Sequence, residues 1–153
     1  MLKKVINYTD YDGNPRSEVC YFNLSKPELM EMKRSPLYEM QQILDKIRKM
    51  EDPDKDMTYA EKDELTMKMG AILRNLVTAS YGKKSEDGRR FIKREEGHSL
   101  GEEFIETEAY SELYMEMLSD IGNLVGFVRE VIPAEYKADF EDNVKSAELP
   151  AAE

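Results

Sequence analysis

Residues that support metal-centred or covalent chemistry are scarce in this chain. Its 153 residues include one cysteine, Cys20, one histidine, His98, and no tryptophan. A single cysteine cannot close an internal disulfide, and one cysteine with one histidine cannot supply the four nitrogen or sulfur ligands of a usual zinc site. The sequence therefore predicts a protein of a reducing compartment, with no disulfide framework and no metal centre.

Long apolar runs and phosphate-binding glycine motifs are also missing. No stretch approaches the ~20 apolar residues that cross a bilayer, and the opening Met1–Val5 leads into no apolar segment of a secretory signal. The acidic run Asp52–Asp56 lacks the glycine and closing glutamate of a calcium loop, and we interpret it as a solvated connection between helices. We therefore predict no catalytic residues, no cofactor and no membrane contact.

Charge is abundant and unevenly distributed. Residues 1–94 carry 19 basic and 16 acidic side chains, a net charge of +3, whereas residues 95–153 carry 3 basic and 16 acidic side chains, a net charge of −13. An acidic half of this kind argues against nucleic-acid binding, which depends on neutralising phosphates. It favours a solvated helical surface, or a surface that docks a basic partner.

Alternating apolar residues at 2–9 and 16–24, separated by turn residues, predict a β-hairpin over 2–24 in which Cys20 points inward. A lone hairpin is marginal in water, so it must pack on helices or pair with another chain. A homo-oligomer is therefore one expectation.

The remaining chain carries helix signals. Capping boxes begin at Ser25, Thr58 and Ser99, and Thr107 and Asp120 are further N-cap residues. The clearest apolar stripe follows Thr58, and Gly82 is expected to stop that helix. Residues 82–98 should form a loop or small hairpin turning at Asp87-Gly88, with His98 exposed in a linker, and Pro133 should allow one more helical turn.

The predicted fold class is mainly α with a small N-terminal β-hairpin (α+β), in a compact helical domain of about five to seven helices. One domain is expected over 1–145, with the hairpin at 2–24 and helices at 25–145. The polar, alanine-containing end, 146–153, is expected to be a disordered tail.

Two features are candidates for binding a protein partner. The segment 83–94 holds six basic and two acidic residues in an otherwise acidic protein, and its candidate contact residues are Lys83, Lys84, Arg89, Arg90, Phe91 and Lys93. It could dock the acidic half of a neighbouring copy or another acidic partner. An internal loop, salt-bridged to the acidic helices of the same chain, explains the composition equally well.

The second feature is a set of ten methionines. Met30, Met67 and Met115 lie off the apolar stripes of their predicted helices, so these three are the expected exposed members. Methionine is flexible and suits surfaces that accept partners of variable shape. The alternative, which composition favours, is that the methionines fill gaps in a lean core.

Several stretches resemble one family of small proteins. They are Lys4–Asp10, Tyr21–Leu29, Tyr81–Lys93, Glu103–Phe104 and Thr107–Leu113, within about residues 2–132. Together they resemble the tail assembly chaperones of tailed, siphovirus-type bacteriophages and prophages of Gram-positive hosts.

The resemblance implies a non-enzymatic role in the host cytoplasm. Such a chaperone binds the tape measure protein, keeps it soluble, and releases it as tail tube protein subunits polymerise around it. The resemblance implies no catalytic, metal or cofactor-binding residues. The alternative function is a structural virion protein, such as a head–tail connector or tail completion component, which would stay in the finished particle.

Overall fold

The computed structural model describes residues 1–32 and 35–146, with side chains described as far as residue 142. In that part of the chain, six strands and eight helices follow one another. The strands are β1 (Leu2–Thr9), β2 (Pro15–Phe22), β3 (Tyr81–Lys84), β4 (Phe91–Ile92), β5 (Arg94–Glu95) and β6 (His98–Ser99). The helices are α1 (Lys26–Glu31), α2 (Ser35–Arg48), α3 (Pro53–Asp56), α4 (Tyr59–Ser80), α5 (Leu100–Phe104), α6 (Glu108–Ser119), α7 (Ile121–Val131) and α8 (Ala134–Ser146).

The predicted N-terminal hairpin is confirmed, and it belongs to a larger sheet. β1, β2, β3 and β4 form an antiparallel sheet in that order, with Phe22 opposite Tyr81 and Lys84 opposite Phe91. Its inner face contributes Cys20 and Phe22 to the core. β5 and β6 form a separate two-stranded ribbon. The hairpin is therefore supported by its own sheet and by the helices behind it.

The helices cover the inner face of this sheet. Phe22 lies at the junction, with its ring centroid 5.8 Å from that of Phe104 and 5.2 Å from that of Phe127. The core also takes Leu113 from α6 and Leu73 from α4, both fully buried. Burying such side chains stabilises the fold by roughly 1.5–3 kcal/mol each. One apolar cluster therefore joins sheet and helices.

The predicted N-caps are confirmed. The side chains of Ser25, Thr58, Ser99, Thr107 and Asp120 each accept a hydrogen bond from a backbone N–H in the first turn of α1, α4, α5, α6 and α7, respectively. At α1 the reciprocal bond is also present, because Glu28 accepts from the Ser25 N–H at 3.0 Å. These local signals fix where five helices begin.

Gly82 does not stop α4, which corrects the expectation from the sequence. The helix ends at Ser80, and the chain turns at Tyr81, which is extended, directly into β3. Gly82 is a strand residue, and a Cβ there would lie 2.6 Å from the Phe91 ring and 2.5 Å from the Ile92 carbonyl oxygen. The glycine is needed because β4 packs closely over it.

Three other expectations change. The connection at Asp52–Asp56 contains a short helix, α3, capped by the Asp52 side chain. His98 is exposed, as expected, but lies in β6. The chain after Pro133 forms a helix of 13 residues, α8, instead of one turn. The expected disordered tail, 146–153, lies outside the described residues except for Ser146, which ends α8.

Candidate protein-binding surfaces

The outer side of α4 is an exposed helical surface beside apolar depressions. One side of this helix is buried through Met69, Leu73 and Leu76. On its other side, Met67, Ala71 and Arg74 follow one another at helical spacing, and all three are exposed. We call this row the α4 ridge. Depressions lie on both sides of it, since α2 packs along one flank of α4 and α6 along the other.

The first depression lies between α2 and α4 and has a volume of about 420 Å³. Its apolar lining is Ile43, Ile47, Met57, Leu65, Ala71 and Ile72. Its charged lining includes Lys46 and a Glu64–Lys68 ion pair at 3.2 Å. An apolar floor with a charged rim is the form in which grooves accept an amphipathic helix.

The second depression lies between α4 and α6, and it brings together two of the methionines expected to be exposed. Met67 is 75% exposed and Met115 is 68% exposed. Both line this depression of about 610 Å³ together with Tyr110 and Tyr114. The tyrosine rings meet edge to face, with centroids 5.8 Å apart. Because Met67 and Met115 are exposed, they do not fill gaps in the core.

Gly70 shapes this second depression. The Tyr114 hydroxyl lies over Gly70, and a Cβ at that position would overlap it. The hydroxyl end of the Tyr114 side chain can therefore approach the α4 backbone closely. The sequence did not point to Tyr110 and Tyr114 as surface residues, because their spacing also fits the buried stripe of α6.

Met30 is exposed as expected, but it lies elsewhere. It is 56% exposed on α1, where its sulfur accepts a weak hydrogen bond from the Tyr136 hydroxyl at 3.8 Å. It lines neither depression beside the α4 ridge. The sequence grouped three methionines by exposure, and the fold brings only two of them together.

In the basic segment 83–94, two lysines form ion pairs, and three outward cations on the β3–β4 turn do not. Lys83 forms an ion pair with Glu95 of the neighbouring ribbon, and Lys93 forms one with Glu28. Lys84, Arg89 and Arg90 are exposed, and none makes an ion pair within 4.0 Å in the described part of the chain. The internal interpretation therefore fits Lys83 and Lys93, although neither partner is on the acidic helices.

Lys93 is a structural clamp. Its Nζ donates to the Asn23 carbonyl at 2.7 Å, to the Ala79 carbonyl at 2.6 Å and to Glu28 Oε2 at 2.6 Å. Burial lowers the pKa of Lys93, opposed by the hydrogen bond and charge of Glu28. Burial alone would raise the pKa of Glu28, but hydrogen bonds from Lys93 and Ser25 outweigh it, so this pKa is lowered. The clamp joins β4 to α1 and to the end of α4.

The turn between β3 and β4 is held by its own hydrogen bonds. The Ser85 N–H donates to the Arg90 carbonyl at 2.8 Å, and the Arg90 N–H donates to Ser85 Oγ at 3.0 Å. Asp87 accepts from the Arg89 N–H and the Ser85 hydroxyl, and these bonds lower its pKa. Gly88 takes a positive φ of 74°. The turn therefore presents Arg89 and Arg90 on a fixed frame.

Phe91 lies half-buried at the base of this turn. Its ring packs over Gly82, and the Lys93 ammonium is 5.5 Å from the ring centroid. Such a contact is attractive, because the negative face of the ring lies toward the cation. Phe91 therefore offers part of its ring to solvent beside the outward cations.

The thiol of Cys20 and the imidazole of His98 do not form a common site. Cys20 is 1% exposed, and burial, with a smaller contribution from the charge of Glu18, raises the pKa of its thiol to about 11. His98 is exposed on the β5–β6 ribbon. Among residues 1–32 and 35–146, no cluster of three or more histidine, cysteine or acidic side chains is placed to hold a metal ion. No helix in that same part of the chain is long and apolar enough to cross a membrane.

Apolar depressions with charged rims, on a mainly helical α+β scaffold, are features of proteins that accept helical partners. The phage tail assembly chaperone family matches residues 1–152 of this chain. The chain belongs to that family, and the resemblance seen in its sequence is confirmed. Membership implies a chaperone role in tail assembly, with phage tail proteins as partners. Comparison with curated proteins and with solved structures gives no match.

Proposed function

We propose that this protein binds the tape measure protein, without catalysing a reaction, and keeps it soluble in the host cytoplasm during tail assembly. The family supports a chaperone role. The observation that carries the proposal is the α4 ridge, where Met67 and Met115 flank one depression and Ile43 and Leu65 line the other. Ala71 lines both, so a single helical partner can contact the two depressions across the ridge.

The chemistry of this surface suits a reversible holdase. Met67 and Met115 adapt to side chains of different shape, so they need no unique partner sequence. The rim of the first depression carries both signs of charge, Lys46 and Lys68 against Glu64. An amphipathic helix would bury its apolar stripe in a depression and leave its charged side in water. Burial of each methionine would contribute roughly 1.5–3 kcal/mol before the cost of ordering is subtracted.

Co-expression with the tape measure protein tests the proposal. Wild-type chain should increase the soluble fraction of that protein. Met67→Glu with Met115→Glu should weaken binding about tenfold or more, because two carboxylates would enter an apolar contact, and most of the gain in solubility should be lost. The matched control is Met30→Glu with Val5→Glu, which adds the same charge at exposed apolar positions on α1 and β1, neither of which lines a depression beside the ridge.

The possible outcomes distinguish an error in the proposed function from an error in the assigned binding surface. No gain in solubility with the wild-type chain would overturn the proposed function. A gain that survives Met67→Glu with Met115→Glu, or that is lost equally in the control pair, would overturn the assignment to the α4 ridge and its depressions. Stoichiometric retention of the chain in purified virions would instead support a structural role in the particle.

A further inference from the structure

Within the part of the chain that the structure describes, no acidic side chain forms an ion pair with the outward cations of the β3–β4 turn. Lys84, Arg89 and Arg90 project from the most basic segment of an acidic protein. The turn is already fixed by its internal hydrogen bonds, so docking it would cost little conformational entropy. Phe91 adds a partly exposed ring beside the cations. A rigid, basic tip with one aromatic residue is a suitable ligand for an acid-rimmed apolar depression.

The same chain carries a depression of that description. It lies between α2, α4 and α5 and has a volume of about 810 Å³. Its apolar lining includes Pro36, Ile72 and Ile105, and Glu39, Glu102 and Glu106 contribute carboxylates. Arg74 is the one cation among the described residues that line it, and Lys33 and Arg34 lie outside the described residues.

The three carboxylates are also available to a partner. Glu102 and Glu106 are exposed, and Glu39 accepts a hydrogen bond, at 3.3 Å, from the Ser35 hydroxyl. None of the three forms an ion pair within 4.0 Å in the described part of the chain. The basic turn and the acidic depression therefore have complementary charge, and neither is used by the other within one molecule.

We propose that the β3–β4 turn of one copy docks into the acidic depression of a second copy. Arg89 and Arg90 pair with Glu102 and Glu106, and Phe91 contacts the apolar lining. The turn and the depression are different surfaces, so the contact is heterologous and repeats from copy to copy. This self-association does not depend on the tape measure protein, and the full chain alone can test it.

Charge-swapped variants give the sharpest test. Arg89→Glu with Arg90→Glu gives an acidic turn facing an acidic depression, while Glu102→Lys with Glu106→Lys gives a basic turn facing a basic depression. Each pair alone should weaken self-association about tenfold or more, because like charges then oppose each other. Mixed in equal amounts, the two variants should associate again, since each now offers what the other lacks.

Sedimentation velocity measures the result. Wild-type chain should sediment as more than one copy at about 50 mM salt and dissociate toward single copies at about 500 mM salt, because screening weakens exposed charge pairs. Lys49→Glu with Lys55→Glu, an equal change of charge at exposed sites elsewhere, should associate like wild type. A strict monomer at every protein concentration and salt, or reversal variants that fail to associate when mixed, would overturn the proposal.

Discussion

At the scale of single residues, Lys93 shows how one side chain can join distant parts of the chain. It lies in the segment with the highest positive charge, yet its ammonium group is turned inward and shared among three acceptors on three parts of the chain. Lys84, nine positions earlier, has the same charge and faces solvent. The composition of the segment could not distinguish the two, because the acceptors for Lys93 come from distant residues.

Replacing Lys93 should therefore destabilise the fold. Lys93→Met would leave two carbonyls and the Glu28 carboxylate without their donor, and the free energy of unfolding should fall by about 2–4 kcal/mol. Lys84→Met removes the same group from an exposed site and should change it by less than about 0.5 kcal/mol. Urea unfolding of both variants measures the difference. Equal effects would contradict the structural role of Lys93.

The clamp also predicts a dependence on pH. The pKa of Glu28 is lowered from its ordinary value of 4.5, so its carboxylate contributes stability above that value. The contribution is lost as the pH falls through the lower, folded-state pKa. The difference in unfolding free energy between wild type and Glu28→Gln should therefore shrink below pH 4.5. A difference that stays constant down to the acid transition would show that Glu28 is not coupled to Lys93.

At the scale of elements, close approach of α5 to α4 depends on one glycine. A Cβ on Gly101 would overlap the backbone of Thr78, whereas nothing lies within 4 Å of a Cβ on Gly126 in α7. Gly101→Ala should lower the free energy of unfolding by about 2–3 kcal/mol through overpacking. Gly126→Ala should raise it by about 0.5–1 kcal/mol through helix propensity. Thermal unfolding compares the pair, and two changes of the same sign would contradict this packing.

Elements with local signals were predictable, and elements with distant partners were not. Ser25, Thr58 and Thr107 predict where their helices begin. Each side-chain oxygen accepts a hydrogen bond from the backbone N–H only three residues further along the chain. The four-stranded sheet depends on Tyr81 lying opposite Phe22, which no local pattern encodes. The prediction that Gly82 stops α4 is wrong for the same reason. Its glycine signal is real, but the need for it comes from Phe91 across the turn.

For the candidate binding surfaces, too, only the features with a local sequence signal were predictable. Exposure of Met67 and Met115 could be read from helical periodicity, because each lies off its apolar stripe. Their meeting across α4 and α6 depends on how the helices pack, so the sequence could not separate them from Met30. The depression between α2 and α4 was hidden because residues such as Leu65 and Ile47 also fit a buried stripe.

At the scale of the whole molecule, Cys20 reports on global unfolding. It is 1% exposed in the core that joins sheet and helices, with a pKa raised to about 11. A thiol reagent at neutral pH should therefore label it only through opening of the fold. Gly101→Ala should speed labelling by about thirtyfold or more, following its loss of stability. Labelling of the native wild-type chain as fast as an unfolded peptide would contradict this arrangement.

The direct passage from α4 into β3 at Tyr81 also governs which changes of length the chain can accept. One residue inserted at Ser80-Tyr81 would either rotate the α4 ridge by about 100° or turn every side chain of β3 to the other side of the sheet. The tip at Gly88, where nothing lies within 4 Å of an added Cβ, imposes no such choice. Length polymorphism and inserted tags should therefore be tolerated at the tip and rejected at the helix–strand junction.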